Sequence, residues 1–117
     1  MATRLPEDTL SASWLASRFA IEPFKLEAMR RAGEVIAFRP AGAREHYYPL
    51  WQFDEEGRPL PAVPRLVKEA RERGLGGNRL YEVLSARAGL GGDRRIADSL
   101  REGRVDHALE AIRTARA

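Results

Sequence analysis

Apolar positions recur along Ala12 to Arg31 (ASWLASRFAIEPFKLEAMRR) at the spacing of two short helices that cross over a turn. Such a crossing needs a small residue at the contact and apolar residues around it. Ala16 serves as the contact, Leu15 and Phe19 as the apolar face of the first helix, and Leu26 and Met29 as that of the second, with Ala20 and Ile21 in the turn. Glu22 or the preceding turn opens the second helix. Pro23 suits its first turn, because the N–H that proline lacks would be unpaired there. Gly33 suits its end. Two β-prone runs follow, Glu34–Arg39 and Arg44–Tyr48, around a turn through Pro40 and Gly42; this order predicts a hairpin.

Beyond the hairpin the pattern changes twice. The stretch from Phe53 to Pro64 is acidic and turn-forming, with prolines at 59, 61 and 64, and predicts a linker over 57–64 between a first unit (1–56) and a second (65–117). After it the periodicity is helical throughout. Val63, Leu66, Val67 and Ala70 make one stripe, Leu80, Val83, Leu84 and Ala88 another; Ile96 and Leu100 mark a short third helix capped by Asp93, and Val105, Ala108, Leu109 and Ile112 the last. Glycines at 74–77, 89 and 103 separate them. The expected fold is mainly α with a small β-hairpin: a helix-turn-helix with a wing, then a bundle of about four short helices. None of these helices can bury a face alone, so they must pack on one another, on the first unit or on a partner.

Composition narrows the function more than the fold. A chain of 117 residues with 44% hydrophobic and 32% charged positions suits one compact domain or two small units sharing a core. The absence of cysteine excludes disulfides, thiolate catalysis and thiolate zinc sites. His46 and His107 are far apart and lack metal-ligand spacing, and Asp54-Glu55-Glu56 before Gly57 reads as a solvated turn. The GLGG elements at 74–77 and 89–92 have neither the preceding strand nor the lysine of a phosphate loop, and read as helix ends. A binding protein is therefore expected rather than an enzyme, with no cofactor and no metal. No apolar run approaches the roughly 20 residues of a membrane span, and the N-terminal residues lack a secretory apolar segment, so a cytoplasmic protein is expected. Net charge is +3, and the first 60 residues are not the basic half. Between Arg18 and Arg44, however, six cations face three carboxylates, which leaves a locally basic surface.

The helix pair, the glycine and the hairpin, over residues 9–53, resemble the winged helix-turn-helix of the MerR and excisionase type. The resemblance implies a double-stranded DNA partner, with helix 23–32 in the major groove and the hairpin tip at 40–44 on the backbone. One departure is Ala20 where glycine is usual, which is tolerated only if that residue avoids a positive φ. Each helical residue advances about 100°. With Leu26 and Met29 inward, Phe24, Ala28 and Arg31 point outward, Lys25 and Glu27 flank them, and Arg30 sits nearer the core boundary. The expected DNA-contacting set is Lys25, Ala28, Arg30, Arg31, Arg39 and Arg44. Arg31 suits a guanine edge, Lys25 a phosphate, Ala28 a thymine methyl, and the two hairpin arginines the backbone. Phe24 is expected to pack as a staple at the helix entry rather than to meet thymine methyls. The aromatic run Tyr47, Tyr48, Trp51 and Phe53 is expected to anchor a core rather than to stack on bases.

The tail from Leu90 to Leu109 resembles the toxin-binding domain of Xre/ParS-type antitoxins, in its Leu-Gly turn, short helix, leucine, glycine and final helix. That resemblance implies a toxin or another protein partner bound through Leu90, Ile96, Leu100, Gly103, Val105 and Leu109. The same residues also fit a bundle that closes the core or a homodimer interface. A single thin reader makes a homodimer the natural expectation. The chain thus reads as a small DNA-binding regulator, antitoxin-like, and alternatively as a protein-interaction module whose winged unit is structural.

Overall fold

The computed structural model describes residues 8–88 and 94–116. In chain order these form β1 (Thr9–Ser11), α1 (Ala12–Phe19), α2 (Pro23–Ala32), β2 (Tyr47–Pro49), a 3-10 turn (Leu50–Gln52), α3 (Val63–Glu72), α4 (Gly77–Ser85), β3 (Arg87–Ala88), β4 (Arg94–Arg95), α5 (Asp98–Arg101) and α6 (Val105–Thr114). The fold is mainly helical with small antiparallel strand pairs, as the hydrophobic pattern predicts. Among the described residues no helix is long and apolar enough to cross a membrane.

Two of the N–H groups that open α1 find side-chain acceptors. Ser11 Oγ accepts from Trp14 N (3.3 Å), and the Glu45 carboxylate accepts from Ser13 N (2.9 Å). At the other end, Ala20 adopts φ 53° and ψ 41°, and its N–H and that of Ile21 both reach the Ala16 carbonyl. The expectation that Ala20 avoids a positive φ is therefore corrected. The chain must reverse within three residues before Pro23, and a left-handed residue is what lets the last carbonyls of α1 be satisfied in that space. Helix α2 starts after Glu22 with Pro23 in its first turn and ends at Gly33, which is left-handed at φ 79°.

The expected hairpin is also corrected. Glu34–Arg39 and Arg44–Tyr48 meet only at Phe38 and Tyr47, which exchange two backbone hydrogen bonds of 3.0 and 2.7 Å. Tyr47–Pro49 instead pairs with the start of the chain, in the register Thr9 with Pro49, Leu10 with Tyr48 and Ser11 with Tyr47. Burial explains the difference. A wing strand keeps one face in water, whereas Val35, Ile36, Ala37 and Phe38 are all buried. Val35 and Ala37 join a core with Leu15, Leu26, Tyr48 and Phe53, while Ile36 between them joins the core of the C-terminal helices. Alternate residues thus face opposite cores, and the segment is a wall between them.

A wall with both faces covered must still pair its peptide groups, and side-chain amides do this. Gln52, fully buried, accepts from Ile36 N through Oε1 (2.6 Å) and donates to Ile36 O through Nε2 (2.7 Å). Asn78, near the start of α4, accepts from Arg39 N (2.8 Å) and donates to Arg39 O (2.9 Å). The first turn of α4 lies so close to the wall that a Cβ on Gly77 would sit 2.2 Å from the Ala37 carbonyl oxygen, so only glycine fits there.

The C-terminal half follows the predicted stripes for α3, α4 and α6, except that Ala88 falls in β3 beyond α4 and Val105 is only half-buried. Three details differ. The segment 57–64 is folded: Phe53 bridges Pro59, Leu60 donates to the Gln52 carbonyl (2.7 Å), and Val63 and Pro64 already belong to α3. A short hairpin, with Arg87 opposite Arg95 and Ala88 opposite Arg94, interrupts the expected run of helices. The third helix is only Asp98–Arg101, so Ile96 lies in the turn before it. Asp93, the expected cap, lies outside the described residues. Trp51 and Ile36, from the N-terminal side, are part of the C-terminal core, so the two units share their packing.

Candidate nucleic-acid interface

The outward line read from the helix period is present on α2. Phe24, Lys25, Ala28 and Arg31 are exposed, Leu26 is buried, and Met29 packs against the N-terminal core. Arg30 is turned aside. Its guanidinium is paired with the Glu27 carboxylate, and its side chain is one-quarter exposed against three-quarters for Arg31. Arg31 also reaches Glu27, through Nε at 3.2 Å. The Arg30 hydrogen bond is the chief cause holding the Glu27 carboxyl below its ordinary range, and the same pairing raises Arg30 further. One carboxylate therefore restrains two of the three cations on this helix.

Helix α2 is held at its C-terminal end by a residue distant in sequence and at its N-terminal end by its neighbour α1. Arg71, from α3, donates from Nη2 to the carbonyls of Arg30 and Arg31, each at 3.3 Å. Both carbonyls lie in the last turn of the helix, where Arg30 O otherwise accepts only the long cap bond from Gly33 N (3.2 Å), and a guanidinium there also complements the negative end of the helix dipole. At the N-terminal end, α2 packs against α1 over Leu15 and Leu26.

Beside α2 stands an arm formed by residues 39–46, closed at its base by the Phe38–Tyr47 bridge and turned by a hydrogen bond from Ala43 N to Pro40 O (3.0 Å). Asn78 ties its first residue to α4, and Glu45 ties its last part to α1. Arg39 and Arg44 are exposed. His46, half-buried at the base, lies near Arg30 and Arg39; burial first, and then the Arg30 charge, keep its imidazole below the ordinary histidine pKa. The arm is thus a strapped loop rather than a strand ladder.

The structure keeps Lys25, Ala28, Arg31, Arg39 and Arg44 on the surface and moves Arg30 into an internal pair. It reverses the expectation for Phe24, which makes no staple and is 73% exposed; Trp14, in the first turn of α1, is 70% exposed. The helix turns Phe24 away from the pair's core, which Phe19, Ile21 and Leu26 already fill. The aromatic run packs as expected, with Tyr48, Trp51 and Phe53 all buried. Burial also pushes the Tyr48 phenol up to about 12.

Four of the residues assigned to a protein partner pack internally. Leu100 and Leu109 are buried in the C-terminal core, Ile96 and Val105 pack against it, and Gly103 is a left-handed helix end. Leu100 and Leu109 are thus corrected from partner contacts to core residues, whereas Gly103 is exposed and Leu90 lies outside the described residues. Gln52, Arg71 and Asn78, which hold the wall, α2 and the arm in place, escape the sequence reading because a polar side chain that pairs with a distant backbone leaves no local period.

No protein-family model matches the chain, and no curated protein matches it. Among solved structures the chain is similar to the NMR structure of Rv2175c, with a TM-score of 0.74 and 18% identity over 96% of this chain and 84% of that one. The likeness is one of fold.

Proposed function

We propose that the chain is a small duplex-DNA-binding regulator that lays α2 in the major groove and rests the 39–46 arm on the adjacent backbone. The observation that carries this reading is the exposed line Phe24, Ala28, Arg31 with Lys25 beside it, on a helix held at both ends, next to an arm presenting Arg39 and Arg44. A rigid helix with an uncovered outward face and flanking cations is the arrangement that groove docking requires. Arg31 reads a base edge, while Lys25, Arg39 and Arg44 neutralise phosphates. Because Glu27 must release Arg31 for this, affinity per monomer is modest, and a homodimer on paired half-sites supplies the rest.

Fluorescence anisotropy with labelled duplexes tests the reading. Binding is expected to weaken steeply with salt; Arg44→Ala weakens it for all sequences and lowers the salt slope by about one, whereas Arg31→Ala reduces sequence preference. Absence of duplex binding at low salt overturns it.

A further inference from the structure

We infer that Phe24 reads the C5 methyl groups of thymine, making this surface selective for thymine-bearing steps; the inference rests on the DNA-docking reading above and deepens it.

Among the described residues two large apolar side chains are left to water, Trp14 and Phe24, and both stand on the helix pair. Phe24 is the second residue of α2. The first turn of a docked helix is the part that reaches the base edges. What that turn offers is unusually apolar. Pro23 has no N–H, Phe24 has no polar atom, and Ala28, one turn further on the same line, is a methyl group. Lys25 stands on the flank, and Arg31 comes only at the following turn.

The major-groove edges of the four base pairs present donors, acceptors and one apolar group, the thymine methyl. An aromatic ring followed by a methyl complements only the last of these, and bringing ring and methyl together removes both from water. A ring placed against a donor or acceptor edge would instead desolvate that edge without pairing it. The exposed cations Arg18, Lys25 and Arg31 on the two helices favour a polyanion over an apolar protein surface as the occupant.

The experiment uses the full chain and a duplex that it enriches from a random pool. Each thymine in that duplex is replaced in turn by uracil, which removes the methyl and keeps the pairing. Uracil at one or two positions is expected to weaken binding by about threefold to tenfold, a single-contact effect. Phe24→Ala is expected to bind the thymine and uracil duplexes alike, Phe24→Leu to regain part of the difference, and Trp14→Ala to keep it. Phe24 is exposed, so these variants fold. Equal affinity for all uracil duplexes overturns the inference, as does a thymine preference that survives in Phe24→Ala, a pool without enrichment, or a Phe24→Ala change that abolishes self-association and leaves methyl discrimination untouched. Failure to bind any duplex at low salt overturns the docking reading itself, so the two failures are distinguishable.

Discussion

Ala20 occupies the left-handed region at φ 53°, the one non-glycine among the described residues to do so. An L-residue there carries a cost of about 1–2 kcal/mol, offset in part because glycine loses more freedom on folding. Ala20→Gly is therefore expected to stabilise the chain by about 1 kcal/mol, read as a higher denaturant midpoint with an unchanged slope. His46 gives a second residue-level expectation. Its folded-state pKa lies below the ordinary value because of burial and the Arg30 and Arg39 charges, with Glu27 opposing them. The unfolded chain then binds the proton more readily, so the stability His46 contributes is complete above the unfolded value near 6.5 and falls as pH drops through the folded one. Proton NMR of the His46 ring should give a midpoint under 6.5, and His46→Gln should flatten this part of the stability curve. A midpoint above 6.5 contradicts the packing described for the arm base.

At the scale of elements, the stretch from Ile36 to Arg39 behaves as a strand whose neighbours are partly side chains. Gln52→Leu would fill similar space but leave the Ile36 N–H and C=O buried and unpaired, an expected loss of about 3 kcal/mol in chemical denaturation. An effect under about 1 kcal/mol would show that the backbone finds other partners. This element also marks how far the sequence was legible. Helices α3, α4 and α6 were readable because Leu66, Val67 and Ala70, or Leu109 and Ile112, repeat at the helix period and one face of each is solvated. The outward set on α2 was readable for the same reason. Val35 to Phe38 was recognisable as extended chain, but its pairing was not: four consecutive apolar residues do not say whether a sheet partner or a second core covers the other face. Phe24 was misread because a ring at a helix entry packs as a staple only if its own core has room.

For the whole molecule, the wall makes the two cores interdependent. Ending the chain after residue 60 would expose Ile36 and Trp51, remove Asn78 from Arg39 and free the α2 carbonyls that Arg71 holds. Such a chain is expected to give a collapsed amide spectrum, and the intact one a single unfolding transition by circular dichroism and tryptophan fluorescence alike. A well-dispersed spectrum from the shortened chain would show the helix pair to be self-sufficient. The shared wall also governs how the protein can be controlled. With α2 strapped to α3 and the arm strapped to α4, no hinge among the described residues separates the helix pair from the C-terminal helices, so a signal arriving at those helices cannot swing the pair aside. It can act only by loosening the pair's own packing, and under the proposed DNA docking the response is then graded by how much of the population is folded rather than by an angle.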